Sequence, residues 1–148
     1  MLPDSFTLEV VTPERRVVRA TAVEVQIPAS EGYIGVLPGH APLLGAMGTG
    51  ELSYHDTQGI HYAAVFGGYV EVLAGRVIVL AEAAERADEI NADRARAAKE
   101  SAQKILATPA TPEEIAGPAR DAVGRADIRL KVAAHSTGAT AHHGEARQ

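Results

Sequence analysis

The first part of the sequence consists of short segments in which apolar and polar residues alternate with a period of two. "FTLEVVT", "AVEVQIP" and "GYVEVLA" are examples, and turn-forming pairs such as Pro13-Glu14 and Gln58-Gly59 separate such segments. We also predict turns at Gly48–Gly50 and Gly67-Gly68, where glycines interrupt the pattern. This alternation is typical of strands that bury one face, and short strands at this spacing favour a sandwich or barrel. The sequence therefore predicts an antiparallel β-sandwich of about ten short strands over residues 1–84.

The pattern stops after about Ala83, where β-branched residues become rare and Ala, Glu and Arg predominate, as in helices. We predict two helices, at about 87–106 and 112–133, which form a C-terminal hairpin domain over residues 85–134. The connector "ATPATP" contains two prolines, which end one helix and can begin the next. Thr111 is expected to cap the second helix.

The last segment, 135–148, shows no periodicity, and we predict a disordered tail. Its pair His142-His143 is expected to bind metal only weakly and adventitiously, since no other histidine has ligand spacing. The sequence therefore predicts no metal site.

Each predicted helix carries a stripe of small and apolar residues when 100° is allowed per residue. Alanine predominates in both stripes, and Arg94 falls inside the first. Since alanine buries little surface, at about 0.8 kcal/mol per CH₂ group, we expect an antiparallel hairpin of marginal stability. The stripes consist of Ile90, Ala97, Ala98, Ala102 and Ile105 in the first helix, and of Ile115, Ala119, Ala122, Val123, Ala126, Leu130 and Ala133 in the second.

The composition limits the classes of function. The 148 residues carry a formal net charge of -5 and include no cysteine, which argues against a nucleic-acid binder and excludes disulfides and thiolate metal sites. The N-terminus lacks the pattern of a secretory signal, and no apolar run approaches the roughly 18 residues that span a bilayer. We expect a soluble chain that reaches a membrane only through partner proteins.

No catalytic motif is present in the sequence. There is no phosphate-binding loop ending in Gly-Lys-Ser/Thr and no Gly-Xaa-Ser-Xaa-Gly element. The sequence is therefore that of a non-enzymatic binding or regulatory module.

The run "EGYIGVLPGHAPLL", residues 31–44, is too interrupted for a helix and too apolar for an ordinary loop. Its glycines allow positive φ or close backbone approach and its prolines fix φ, so together they predict a rigid, shaped loop that the ring nitrogens of His40 can brace. Two interpretations stay open: a docking surface for a partner, or a corner that closes the end of the sandwich. The predicted interface residues are Glu31, Gly32, Tyr33, Gly35, Pro38, Gly39, His40 and Pro42.

The stretch "SEGYIGVLPGHAPLL", followed by "GGYVEVLAGRVIVLAEAAERADEIN" and "RADIRLKVAA", resembles the epsilon chain of the F-type ATP synthase over about residues 4–134. The resemblance implies a non-catalytic rotor subunit of the central stalk, whose sandwich binds the γ subunit and rests on the c-ring. It also implies that the C-terminal hairpin can fold back, or extend along γ toward the α/β catalytic hexamer and restrain ATP hydrolysis. The implied location is peripheral, on the cytoplasmic side of the bacterial inner membrane.

Some members of this family bind ATP through an Ile/Leu-Asp-x-x-Arg-Ala motif on the first helix and arginines on the second. Here Ile90 and Arg94 match, and Arg125 and Arg129 stand where the second-helix arginines occur, but Asn91 replaces the aspartate. We therefore expect weak ATP binding or none, and no other cofactor.

The resemblance also assigns an inhibitory role to the second helix, where Arg120, Arg125, Arg129 and Lys131 can approach acidic residues of a catalytic subunit. Each of these side chains can instead belong to a plain solvated face. The alternative function is a free-standing ligand-binding β-sandwich with a helical dimerisation hairpin. Co-purification with a γ subunit separates the two interpretations.

Overall fold

The computed structural model describes the backbone of residues 3–146 and the side chains of residues 3–136. The described residues form two compact units, which divide between Arg86 and Ala87. The first unit is built of strands and the second of helices, in the order that the sequence predicts. The last strand ends at Arg86, two residues beyond the predicted boundary.

The first unit contains seven described strands in one hydrogen-bonded sheet, with the order β2-β1-β7-β6-β5-β3-β4. Neighbouring strands are antiparallel except for β1 and β7, which run parallel. The strands are β1 Phe6–Val11, β2 Arg16–Ala22, β3 Glu24–Ala29, β4 Gly32–Val36, β5 Leu43–Asp56, β6 Gly59–Leu73 and β7 Arg76–Arg86.

The strand number is smaller than the expected ten because several strands are long and bent. β5 has 14 residues and β6 has 15, so the turns predicted at Gly48–Gly50 and Gly67-Gly68 were wrong. These glycines bend continuous strands. The pairing is interrupted at one level of the sheet, opposite Gly67: at Gly48 between β5 and β6, and at Glu82 between β6 and β7. β3 is irregular at the same level. The sheet bends along this line, which lets one sheet supply both layers of a sandwich.

Gly68 is the position at which the bend depends most on glycine. Its φ is +120°, and a Cβ built there would lie 2.0 Å from the carbonyl oxygen of Leu80 in β7. A side chain is therefore excluded both by backbone conformation and by the neighbouring strand.

The core of the sandwich lies between the two layers and is aliphatic. In β1 buried and half-buried residues alternate, as the period of two predicts. The largest fully buried side chains of this unit are Leu8, Val10, Val25, Ile27, Val36, Leu52, Val65, Val70, Val72, Val77 and Val79.

The second unit contains a short 3₁₀ turn, Ala87–Glu89, and two helices, α1 Ala92–Ala107 and α2 Glu113–Ala146. α1 begins five residues later than predicted because Asn91 is its N-cap: the side-chain oxygen of Asn91 accepts a hydrogen bond of 3.0 Å from the backbone N–H of Arg94. Thr111 does not cap α2. Its hydroxyl donates to the backbone carbonyls of Ile105 and Thr108, at 3.1 and 2.7 Å, at the end of α1.

α2 continues through most of the segment for which the sequence predicted a disordered tail. The helix reaches Ala146, so this prediction was wrong for residues 135–146. The segment contains no proline to break the helical backbone, although it includes Gly138 and Gly144, which favour helix less than alanine does. The side chains of His142 and His143 lie outside those that the structure describes.

The two helices pair as an antiparallel hairpin, and one ion pair of 2.7 Å, between Lys99 Nζ and Asp127 Oδ1, joins α1 to α2. In α1 the buried residues are Ala95 and Ala102, whereas most of the predicted stripe, including Ile105 at 40% exposure, is open to solvent. The predicted stripe of α1 was right for Ala102 and wrong for Ala97, Ala98 and Ile105. Alanines occur on every side of this helix, so periodicity alone cannot select a face. The buried residues of α2 are Ala116, Ala119, Ala126, Val132 and Ala133.

Candidate partner interface

A tight turn forms the centre of the "EGYIGVLPGHAPLL" run, between β4 and β5. The backbone N–H of His40 donates to the carbonyl oxygen of Leu37 at 3.1 Å, and Gly39 has a φ of +85°. Proline at the second position and a positive-φ glycine at the third are the features of a type II turn. Nδ1 of His40 lies 2.7 Å from the carbonyl oxygen of Ala41, so the imidazole braces the chain just after the turn.

This turn lies beside the β6–β7 turn at one end of the sandwich. Leu37, Gly39 and His40 line a narrow crevice together with Leu73 and Gly75. Leu37 and Leu73 are 59% and 42% exposed, so this end presents apolar side chains on a rigid backbone.

The structure does not bring all eight predicted interface residues into one cluster. Pro38, Gly39, His40 and Pro42 lie at or beside the turn after β4. Glu31 precedes β4 and lies at its other end, about 17 Å away at the rise of an extended strand. Gly32, Tyr33 and Gly35 belong to β4 itself, which is an edge strand of the sheet.

One face of the sheet carries a row of exposed apolar residues that sequence reasoning did not assign to an interface. Tyr69 of β6 lies opposite Ala46 of β5 and Leu80 of β7, and Leu80 lies beside Val11 of β1. Tyr69 and Leu80 are 60% and 52% exposed, and Leu44 on the same face is 71% exposed. We call this surface the apolar face; it consists of Val11, Leu44, Ala46, Tyr69, Ile78 and Leu80.

A signal for part of the apolar face was present in the sequence. In "GGYVEVL" the strand alternation places Tyr69 and Leu73 on the same side as Glu71, which is the side that faces solvent. Aromatic and aliphatic residues at solvent positions of consecutive strands indicate a binding surface, because soluble chains rarely expose large contiguous apolar patches.

The residues of the candidate nucleotide motif lie at the start of α1. Asn91 is occupied as the N-cap, Ile90 is half-buried, and the side chain of Arg94 is exposed. Arg94 therefore does not lie along the helix seam. Given the Lys99–Asp127 pair, the antiparallel register places Arg94 about 4.5 Å along the axis from the level of Arg129.

Two further candidate residues, Arg125 and Arg129, lie one turn apart on α2, with Arg125 exposed and Arg129 half-buried. The same register places Arg125 about 10 Å along the axis from Arg94. On this register Arg94 lies nearer along the axis to Arg129 than to Arg125.

The four basic residues assigned to an inhibitory helix do not share one face of α2. At 100° per residue, Arg120 and Lys131 lie on one side, and Arg125 and Arg129 lie about 120 to 180° away. Arg120 is also ion-paired with Glu113. An acidic partner therefore meets two pairs of cations on opposite sides of the helix, not a single basic stripe.

At the opposite end of β6 from Leu73, the β5–β6 turn is held by an Asp56–His61 pair, with 2.9 Å between Asp56 Oδ1 and His61 Nε2. Burial by itself raises the pKa of the Asp56 carboxyl. The hydrogen bonds from His61 and from the Gln58 N–H, together with the positive charge of His61, outweigh burial and hold the pKa below its ordinary value. The ring of His61 stacks on Tyr54 with 4.9 Å between the ring centroids.

Within the residues that the structure describes, no group of three or more His, Cys, Asp or Glu side chains is arranged to hold a metal ion. The same described part contains no helix that is long and apolar enough to cross a membrane.

The chain contains a bent β-sandwich with an open apolar face and a rigid turn at one end, and a separate helical hairpin. These features are typical of the class of proteins that bind other proteins. The family model described as the ATP synthase delta/epsilon chain β-sandwich domain matches residues 5–87. The ATP synthase epsilon chain of Solibacter usitatus is 49% identical over 132 residues, which cover 89% of this chain and 98% of the relative. That of Koribacter versatilis is 46% identical and covers 72% and 75% of the two chains.

Solved structures share the fold. A chain in the mitochondrial ATP synthase of Euglena gracilis superposes with a TM-score of 0.66 at 20% identity, covering 95% of this chain and 84% of that one. A chain in the central stalk and c-ring structure of the Tetrahymena thermophila mitochondrial ATP synthase gives a TM-score of 0.55 at 14% identity, covering 90% and 99%. From its sequence relatives and the family model, this chain belongs to the ATP synthase epsilon chain family, whose members are non-catalytic subunits.

Proposed function

We propose that this chain is the epsilon subunit of an F-type ATP synthase, which connects the γ subunit to the c-ring and restrains ATP hydrolysis through its two C-terminal helices. The observation that carries the docking role is the apolar face. Val11, Leu80, Tyr69 and Ala46 are in register across four neighbouring strands and form a continuous apolar row. Leu44 and Ile78 lie in the next row, on either side of Glu71. We assign this face to the γ subunit, since soluble chains rarely expose a contiguous apolar surface of this kind except where a partner binds.

The end of the sandwich with the Leu37–His40 turn is the second docking surface, and we assign it to the c-ring. Its backbone is fixed by the type II turn and by the His40 imidazole, so little conformational freedom is lost on binding. Exposed Leu37 and Leu73 supply apolar contacts there. The chain then acts at the bacterial inner membrane, peripherally and on its cytoplasmic side.

The hairpin suits a regulatory role because small side chains make up most of the buried contact between its helices. The buried residues of α1 are alanines, and the Lys99–Asp127 pair that joins the helices is partly exposed, with side chains 32% and 50% open. Such a pair contributes about 0 to 1 kcal/mol. A hairpin of this kind can change its position at low energetic cost, as regulation of hydrolysis requires.

Truncation after Arg86 tests the regulatory role. The truncated chain retains all seven strands, so we expect it to assemble and to support ATP synthesis, while ATP hydrolysis by the complex rises. The measurement compares hydrolysis by complexes containing the full or the truncated chain, at low salt and low proton-motive force. Unchanged hydrolysis in the truncated complex would contradict the regulatory role.

Substitutions on the apolar face test the docking role separately. Tyr69→Ser is expected to weaken reconstitution with the γ subunit while the isolated chain keeps its thermal midpoint, because Tyr69 is largely solvent-exposed. Ile115→Ser, at a residue of α2 that is 52% exposed and lies outside the apolar face, is the matched control. Equal effects of the two substitutions on reconstitution would contradict the assignment.

Nucleotide binding on the hairpin is the remaining part of the proposal. Arg94 and Arg129 lie about 4.5 Å apart along the hairpin axis, and guanidinium groups such as theirs often contact phosphate groups. Asn91 lacks the charge of the family aspartate, so weak binding of ATP or none is the expected state. Calorimetry on the full chain measures it.

A further inference from the structure

A pocket that plays no part in the proposed interfaces lies beside the β5–β6 turn. It has a volume of about 150 Å³ and opens between β3, β5 and β6. Its lining residues are Glu24, Gln26, Ser53, Tyr54, His55 and Ile60. The pocket is large enough for several waters or for the end of one long side chain.

The carboxylate of Glu24 is held in position at this pocket. The Gln26 Nε2 donates a hydrogen bond of 2.8 Å to Oε1 of Glu24. Gln26 in turn lies over Gly35 of β4, where a Cβ would come within 2.9 Å of its Nε2. The glycine therefore leaves the space that the Gln26 side chain fills, and Gln26 orients the carboxylate.

The charge of Glu24 is not neutralised within the described part of the chain. Its carboxylate has no ion-pair partner there, and Gln26 is an uncharged donor. His55 lies directly opposite Glu24 in the β3–β5 register and lines the pocket. An unprotonated imidazole nitrogen at that position can accept a hydrogen bond from an ammonium or guanidinium group.

Among the other lining residues, Ser53 is polar and Ile60 is apolar. Ile60 is 51% exposed, lies opposite His55 in the β5–β6 register and offers an aliphatic surface on the same face as Glu24. A carboxylate beside an aliphatic wall matches a lysine or arginine, which combines an apolar stem with a cationic head. An anion or a purely apolar side chain would leave Glu24 unpaired.

We propose that this pocket binds a lysine or arginine side chain of a neighbouring protein subunit, with Glu24 as its counter-charge. The inference rests on the proposed function, because assembly into the ATP synthase is what brings a neighbouring subunit to this surface. The net charge of -5 adds a favourable long-range attraction for a basic partner segment.

The test measures the affinity of the full chain for the cognate ATP synthase from which this chain has been removed. Glu24→Gln keeps the size of the side chain and removes its charge, and we expect it to raise Kd about tenfold, mainly through faster dissociation. It should also flatten the dependence of log Kd on log salt concentration. Glu14→Gln, at an exposed carboxylate in the β1–β2 turn, is the matched control and should leave both quantities within about twofold.

The outcomes separate the pocket from the proposed function. A wild-type chain that does not bind the depleted complex would overturn the proposed function. A wild-type chain that binds, together with a Glu24→Gln variant that binds as tightly at every salt concentration, would overturn only the pocket assignment.

A small amine could supply the same chemistry as a protein side chain. Titration of the isolated full chain with cadaverine, followed by amide NMR signals of Glu24, Ser53 and His55, distinguishes the sources. Negligible shifts at millimolar cadaverine, with a tenfold effect of Glu24→Gln on assembly, support a protein side chain. Saturable shifts at micromolar cadaverine would replace the partner subunit with a diffusible amine and overturn the proposal.

Discussion

The bend of the sandwich at Gly68 gives the sharpest test of the fold. Replacing Gly68 with alanine puts a Cβ 2.0 Å from the carbonyl oxygen of Leu80 and 2.9 Å from its carbon. Both atoms belong to the backbone of β7, so no side-chain rotation relieves the clash. Relief requires β6 and β7 to move apart by about 1.4 Å, to regain an ordinary van der Waals separation.

The cost of Gly68→Ala has two parts. A non-glycine residue at a φ of +120° costs about 1–3 kcal/mol. Moving the strands apart weakens backbone hydrogen bonds around the Gly68–Ala81 pairing, each worth about 1 kcal/mol, and loosens the adjacent core at Val70 and Val79. We therefore expect a loss of about 4 kcal/mol or more, a large share of the 5–15 kcal/mol typical of a folded domain.

The assay is urea unfolding of the full chain, followed by tyrosine fluorescence. All four tyrosines, Tyr33, Tyr54, Tyr62 and Tyr69, lie in the β unit, and the chain has no tryptophan, so the signal reports the sandwich alone. Gly75→Ala is the matched control, because Gly75 also has a positive φ, +72°, but has open space where the Cβ would lie. We expect it to cost about 1 kcal/mol.

The comparison has a clear refuting result. If the free energies of unfolding of Gly68→Ala and Gly75→Ala differ by less than 1 kcal/mol, the close approach of β6 to β7 does not determine the bend. Gly67→Ala supplies an intermediate case should Gly68→Ala not fold. Its Cβ would meet the flexible carboxylate of Glu82 at 3.0 Å, so its cost should fall between the other two.

Three further predictions follow from the turns and the helix cap. Gly39→Val and His40→Ala should each weaken reconstitution with the complex more than they lower the melting temperature of the isolated chain; equal losses in both assays would give the turn a purely structural role. Asp56→Asn should destabilise the chain by about 1 kcal/mol at pH 7. Because the folded-state pKa of Asp56 is lowered, its contribution is present above about pH 4 and disappears below, so urea midpoints of the two proteins should converge in acid; a gap that persists at pH 2 would contradict the pairing. Calorimetry with millimolar ATP should give weak heat or none for the wild type and more for Asn91→Asp, which keeps the N-cap because Asn and Asp cap equally well; identical titrations would mean that the missing charge is not what limits binding.

The resemblance to the epsilon chain could be stated from the sequence because the residues that carry it form three uninterrupted stretches. The run of glycines and prolines from Glu31 to Leu44 determines a local backbone, and its type II turn follows from Pro38 and Gly39 alone. The apolar face was missed because its members are far apart in the chain. Tyr69 and Leu80 become neighbours only through the pairing of β6 with β7.

Local patterns in the sequence determined the type of each element and the division of the chain. A period of two predicts the strands. Helix-forming residues and the prolines of "ATPATP" predict the hairpin. Both predictions depend only on the preferences of nearby residues. Where the same residue type can give two different local structures, contacts in the tertiary structure select between them. Glycine permits both a turn and a bend, and at Gly68 the approach of β7 selects the bend. Alanine covers every side of α1, so only packing against α2 selects Ala95 and Ala102 for burial. Such choices are made by contacts between residues distant in sequence, whose energies no local pattern contains.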